Sequence, residues 1–555
     1  MEKMINIKQI VEQKVRDIPD RVAFSTIVEN GLKDVTYQEY ANHIEYLGEK
    51  MIDMGLRGSF IAVLGENRYE WTIPYMSTVN GLGVIVPLDK ELSKEEIANL
   101  ITRSNSEAFF YSEKFKDVAA YVKENAGCVK YYVCMDKLDD ESLYIYDLID
   151  DGQKLVEAGH KEHSRLPVDE NAMSMLIFTS GTTGIPKGVM LCHRNILTVM
   201  YGSEPAMNIT QEDSALSILP IHHTYECTCG FLYMFFKSAK ITYCRGLKYI
   251  AEDMKIAKPS IVMVVPLILE SIYAKVMKKG GTKVKNALKV TSFLKAIGID
   301  VRRKVFHDVH ETFGGRLKTL VSGASALDPK IAKAFDTMGF DMVQGYGLTE
   351  CAPLVTVNHV GYNKLSSIGL PIPGVEVKID SPDSDGIGEI ITKGDNVMLG
   401  YYNNEKATNE IIRDGWLFTG DYGRIDKDGF CYITGRKKNI IVTKNGKNIY
   451  PEEIEAVINN SKYILESIVT TKDIDILADT NIVAFIVPDM SNIEEGTSAE
   501  DIKTLIRDEI KEMNKNFPIS KKIRDIAIFD EPFEKTSTKK IKRSSVTDIN
   551  YIGIV

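Results

Sequence analysis

A chain of 555 residues is too long for one compact core, and about two to four domains are expected. Its 44% hydrophobic and 26% charged residues match an ordinary soluble protein, and a net charge of −9 argues against a nucleic-acid binder. The eight cysteines form no CxxC pair; Cys227 and Cys229 stand too close for a zinc or redox motif, so reduced thiols in a cytoplasmic protein are expected.

The N-terminus, MEKMINIKQIVEQKVRDIPDRVAF, is charged throughout and lacks a signal-peptide core. Short apolar runs then alternate with helical stretches: SFIAVLGEN (59–67), VIVPLD (84–89), AFFYS (108–112), SMLIFTS (174–180), ALSILP (215–220), IVMVV (261–265) and LKTLVSG (317–323). Several end in Gly, Pro, Ser or Asp, as strands do where they feed a loop. The alternation predicts an α/β chain with largely parallel sheets. The most apolar stretch, 261–274, is short and carries Pro266 and Glu270, so it does not read as a membrane span. Residues 275–304 hold ten Lys and Arg against one acid, Asp300. This segment is either a solvated helical face or a peripheral contact with the anionic inner face of a membrane. After about residue 375, Asp-Gly and Asn-Gly turns between short alternating runs predict hairpins. Residues 451–555 mix helix and strand in a stretch the size of a small separate domain.

The run at 173–177 delivers FTSGTTGIPKG (178–188), a loop rich in glycine and hydroxyls with one lysine. Glycine lets backbone N–H groups turn inward toward an anion, Ser and Thr add donors, and Lys187 adds charge. The spacing does not fit G-x-x-x-x-G-K-[ST], which excludes the P-loop of kinases and GTPases.

The longer run MLIFTSGTTGIPKGVML resembles the phosphate loop of AMP-forming acyl-CoA synthetases, the adenylate-forming superfamily. Further stretches resemble that family in order: GLGVIVPLD (81–89), LPIHHTYE (219–226), VSGASAL (321–327), QGYGLTE (344–350), GWLFTGD (415–421), GRKKNIIVTKNGKNIYPEEIE (435–455) and KTSTKKIKR (535–543). The likeness covers nearly the whole chain. It implies a large N-terminal domain, 1–436, of two α/β subdomains plus a small β-barrel-like subdomain. A small mobile α+β domain, 437–555, follows a hinge near Lys438.

The resemblance also implies roles. Thr179, Ser180, Gly181, Thr182, Thr183, Gly184 and Lys187 would cradle the β- and γ-phosphates of ATP. Glu350 would ligate Mg2+, Thr349 would donate to the α-phosphate, and Tyr346 would stack on adenine. Gly323, Ala324, Ser325, Gln344, Gly345 and Gly347 would line the nucleotide pocket, and Asp421 with Arg436 would hold the ribose. His223 would line the acyl and thioester tunnel. Lys540 would bridge carboxylate and α-phosphate during adenylation, although Lys539 stands where the family usually has glycine. Rotation about Lys438 would then bring Gly446 to the pantetheine of CoA. The expected reaction converts a medium- to long-chain fatty acid to acyl-AMP with pyrophosphate release, then to acyl-CoA. Loading of an acyl-carrier protein and an aryl-acid–CoA ligase are the alternatives.

Overall fold

The computed structural model describes residues 3–29, 31–139, 142–179, 186–442, 448–471, 482–535, 541–543 and 552–553. Two compact units emerge: residues 1–377 with 392–417, and residues 378–391 with 418–555. Both mix helix and strand, in line with the expected α/β class.

Two sheets organise the first unit. The nine-stranded sheet runs Leu370–Pro371, Thr356–Val357, Asp341–Tyr346, Thr319–Ser322, Ile261–Val264, Ser214–Ser217, Lys240–Tyr243, Val22–Val28, Gly31–Thr36. Its centre is parallel and its outer pairs are antiparallel. The eight-stranded sheet runs Gly400–Tyr401, Lys187–Cys192, Met173–Thr179, Val84–Pro87, Phe60–Leu64, Ser106–Tyr111, Tyr131–Cys134, Leu143–Tyr144. It is parallel from Met173–Thr179 onward. Such strands are covered on both faces, which is why Ile61–Leu64 and Val84–Pro87 read as unbroken apolar runs and are buried.

Helices start where the sequence caps them. Thr36 and Glu39 form a reciprocal capping box before Tyr37–Asp53, and Ser93 and Glu96 do the same before Lys94–Ser104. The carboxyl ends of the two sheets are tied by Asn67, which follows Phe60–Leu64. Its amide donates to Ser217 Oγ at 2.9 Å and to the Leu219 carbonyl at 2.5 Å, and its oxygen accepts from Ile221 N.

The long helix Pro266–Ala296 is broken at Gly281, whose φ of 48° and ψ of −129° suit glycine. No helix among the described residues is long and apolar enough to cross a membrane. All eight cysteines are free; seven are buried and Cys128 is partly exposed.

A smaller five-stranded sheet contains Val375–Asp380, Gly388–Gly394, Trp416–Ile425, Ile412–Arg413 and Cys431–Arg436. In the second unit, Ile464–Thr471, Ile482–Pro488, Ile523–Ile528 and Ile552–Gly553 form a further sheet. Its parallel pair, Ile482–Pro488 with Ile523–Ile528, is connected through helix Ala499–Asn514. Ile454 and Ile458 of helix Pro451–Ile458, together with Ile506, Ile510 and Ile526, form its isoleucine-rich core.

Candidate active site

In the first unit, three sequence-distant stretches meet at Thr179 and Lys187, the residues that flank the glycine-rich stretch in sequence. Thr179 ends one strand and Lys187 begins the next, and the two face each other in antiparallel register. Gly400–Tyr401 pairs with the Lys187 strand on its other side, Tyr401 opposite Val189. This register puts the Lys187 ammonium 4.9 Å from the centre of the Tyr401 ring. The Tyr401 hydroxyl donates to Glu350 Oε1 at 2.7 Å. Burial, then the Glu350 carboxylate, pushes the Tyr401 hydroxyl well above its usual range, so it stays a neutral donor. Glu350 sits on the short turn Thr349–Cys351, and its carbonyl accepts from Met398 N at 2.8 Å. A cation, a phenol and a carboxylate are thus lined up in order.

Thr349 Oγ1 lies 3.4 Å from Thr224 Oγ1, which connects this row to the histidine segment. His222 is buried, with Nε2 3.2 Å from Asp89 Oδ1, while His223 is partly exposed and its ring centre is 5.4 Å from that of His222.

The neighbouring strands Thr319–Ser322 and Asp341–Tyr346 run parallel, so the segments that leave their carboxyl ends lie side by side. Gly323 is buried and a Cβ there would lie 3.0 Å from the Tyr225 ring, so Tyr225 explains the glycine. The Tyr225 hydroxyl donates to the Val321 carbonyl at 2.8 Å. Ala324 takes a left-handed φ of 73°, and Ser325 beyond it is exposed. Gln344 is buried and donates to the Leu365 carbonyl at 2.7 Å. Gly345 is half-buried and Tyr346 is buried. At Gly347 a Cβ would come within 1.7 Å of the Pro353 carbonyl oxygen, so only glycine fits.

Tyr225 opens an eight-residue π-helical stretch, Tyr225–Leu232, whose wide turn buries Glu226 to 1% exposure. Burial pushes the Glu226 carboxyl up to about 8 against the smaller opposing pull of Ser217 and the Leu219 backbone. It is therefore protonated near neutral pH.

In the second unit, Asp421 and Arg436 are direct cross-strand partners, with Arg436 Nε 2.8 Å from Asp421 Oδ1. Asp421 is buried and Arg436 exposed. Lys437 pairs with Glu389 at 2.5 Å. Lys438 is exposed; partial desolvation, then Arg436 and Arg543, hold its ammonium below the usual lysine range. A cavity of about 380 Å³ is lined by residues 438–442, 468–471, Phe485 and Arg543. Arg543 is anchored on Glu455 at 2.6 Å.

The structure therefore brings Thr179, Lys187, Thr349 and Glu350 together in one unit and pairs Asp421 with Arg436 in the other. Ser180, Gly181, Thr182, Thr183, Gly184, Gly446, Lys539 and Lys540 lie outside the described residues. Sequence reasoning missed Asn67, Tyr225 and Tyr401. The signal for Tyr401 was present in the aromatic pair Tyr401-Tyr402 before an Asn-Asn turn, but nothing local connects it to Glu350.

The Glu350 carboxylate is of the oxygen-donor type that suits a hard cation. Tyr401 engages one carboxylate oxygen, and Mg2+ takes one or two carboxylates with phosphate and water oxygens. No cluster of three or more His, Cys, Asp or Glu suited to a metal occurs among the described residues.

Residues 11–402 match the family model of AMP-binding enzymes, and residues 438–550 match the AMP-binding enzyme C-terminal domain. Long-chain-fatty-acid–CoA ligase 5 of Rattus norvegicus is 28% identical over 571 residues, covering 92% of this chain and 82% of the relative. Long-chain-fatty-acid–CoA ligase FadD15 of Mycobacterium tuberculosis is 26% identical over 585 residues, covering 98% and 95%. Among solved structures, ATP-bound MatB from Rhodopseudomonas palustris superposes with a TM-score of 0.77 at 21% identity over 97% of both chains. A Mycobacterium tuberculosis fatty acyl CoA synthetase superposes at 0.67 and 20% identity over 98% of both. These structures share the fold, and the match of the family model across residues 11–402 shows that the chain belongs to the AMP-binding enzyme family.

Proposed function

We propose that this protein is an ATP-dependent, AMP-forming ligase that activates a medium- to long-chain fatty acid and transfers the acyl group to CoA. The observation that most supports this reading is the row Lys187, Tyr401, Glu350, which sets a cation and a held carboxylate at the end of a glycine-rich loop. Relatives named as long-chain-fatty-acid–CoA ligases, aligned over more than nine-tenths of the chain, support the substrate class.

In this reading the loop 179–187 and Lys187 hold the β- and γ-phosphates, and Thr349 donates to the α-phosphate. Tyr346 stacks on adenine in a pocket formed by Gly323, Ala324, Ser325, Gln344, Gly345 and Gly347, and Asp421 with Arg436 holds the ribose. Glu350 would hold Mg2+, which supplies charge neutralisation at the triphosphate. The fatty carboxylate, placed in line with the α-phosphorus, displaces pyrophosphate; positioning and preorganised charge supply the rate. Lys540 would stabilise the charge that develops between carboxylate and α-phosphate. The segment at Lys438 divides domains 1–436 and 437–555 and pivots between the two steps, after which Gly446 admits the thiol of CoA and His223 lines its path. The protein would act in the cytoplasm with peripheral contact to a membrane through residues 275–304.

Acid-dependent release of pyrophosphate and AMP, measured with short, medium, long and aryl acids with and without CoA, tests the proposal. Turnover of a long acid only with CoA is expected. Release without a CoA requirement would point to an acyl-carrier protein acceptor, and preference for aryl acids would overturn the fatty substrate. Lys540→Ala should slow acyl-AMP formation by about 10²–10³ while sparing thioester formation from supplied acyl-AMP. Equal loss of both steps would reject that role.

A further inference from the structure

The basic segment 275–304 carries a second feature that its charge does not explain. Past the break at Gly281, the helix turns Val290, Phe293 and Ile297 to solvent, at 56%, 65% and 56% exposure. Their spacing of three and four residues puts them on one stripe of the helix. Ile299 and Val305, 49% and 47% exposed, extend the apolar surface into the following turn. The helix is anchored from another side: Thr291 is buried, and Lys295 pairs with Asp336 at 3.1 Å.

The charges around the stripe divide into two sets. Lys295, Arg302 and Arg303 are turned back onto the protein, onto Asp336, Asp300 and the carbonyls of Gly315 and Leu317. The other seven basic residues, Lys283, Lys285 and Lys289 among them, are exposed, and no acidic side chain among the described residues pairs with them. An apolar stripe bordered by unpaired lysines is complementary to a surface that is anionic outside and hydrocarbon beneath. A second copy of the chain would bring the same lysines against these, and like charge opposes that contact.

We propose that residues 282–305 form a docking element for an anionic lipid bilayer, with Val290, Phe293 and Ile297 entering the headgroup boundary and the lysines resting on lipid phosphates. Docking would hold the protein at the surface into which a long-chain acid partitions. The inference rests on the peripheral membrane contact of the proposed function and names the residues that make it; because binding is read without turnover, its failure leaves the ligase chemistry standing.

Flotation of the full chain with vesicles tests it, using phosphatidylcholine alone and phosphatidylcholine with about one third phosphatidylglycerol. Binding to the anionic vesicles is expected, at least about tenfold stronger than to the neutral ones and weakened by added salt. The triple variant Val290→Ser, Phe293→Ser, Ile297→Ser should bind at least about tenfold more weakly. Lys283→Glu, Lys285→Glu, Lys289→Glu should lose binding by about two orders of magnitude and lose its salt dependence. All five positions outside Ile297's turn are solvent-facing helix positions, so both variants should keep the wild-type thermal unfolding transition. No binding by the wild type, or equal binding by the serine variant, overturns the proposal. A serine variant that changes the oligomeric state in light scattering without changing vesicle binding would reassign the stripe to contact between copies.

Discussion

Tyr401 is the residue through which the candidate phosphate site is organised before any ligand arrives. Its ring lies beside the Lys187 ammonium and its hydroxyl holds Glu350, 51 residues away in sequence. Tyr401→Phe keeps the ring and removes only the donor, so the lysine contact should survive while the carboxylate loses its fixed direction. A hydrogen bond to a charged group contributes about 1.5–3 kcal/mol. The expected outcome is a rightward shift of the Mg2+ dependence of acyl-AMP formation by about tenfold or more, with little change in the KM for the acid. An unchanged Mg2+ dependence would show that Glu350 does not need the tyrosine. Lys187 and Glu350 were picked out from the sequence because each lies within a short, distinctive string. Tyr401 was not, because its function comes from a strand pairing that no local pattern encodes.

The elements were legible in proportion to how fully they are buried. The apolar runs at 59–67, 84–89, 108–112 and 317–323 are strands in the structure, since a parallel strand covered on both faces has no polar side to interrupt it. Their spatial order was not legible: Val22–Val28 inserts beside Lys240–Tyr243, a partner more than two hundred residues on. The π-helical stretch Tyr225–Leu232 was also hidden, since HHTYECTCG reads equally well as a loop. Its buried Glu226 makes that element sensitive to pH. With its carboxyl pushed up to about 8 from an ordinary 4.5, the folded state holds a proton that the unfolded chain releases. The sign follows directly: stability is greatest below the unfolded value and falls as pH rises toward 8, by about 1.4 kcal/mol per pH unit at most. Melting temperature should therefore drop across this range in the wild type and drop less in Glu226→Gln. Parallel profiles would mean that the carboxyl ionises freely.

For the whole molecule, the α/β class and the smaller C-terminal region were legible from the change in texture past residue 375, because hairpin turns and parallel crossovers leave different residue patterns. The pivot proposed at Lys438 makes a prediction at this scale. Lys438→Pro fixes φ at that residue, and forcing proline into a conformation it resists costs about 3 kcal/mol. Acyl-AMP formation should be nearly unchanged while thioester formation falls by about a hundredfold, read in separate half-reaction assays. Equal effects on both steps would place the pivot elsewhere. The division into units has a further consequence for how the protein is made. The chain enters the second unit at residue 378, returns to the first at 392, and leaves it again at 418. A ribosome therefore delivers part of the later unit before the earlier one is complete, and segment 378–391 must wait for partners still unsynthesised. Neither unit exists as one uninterrupted stretch of gene, and a fragment expressed from residue 437 onward would keep the isoleucine-rich core and its sheet while lacking segments 378–391 and 418–436 of the second unit.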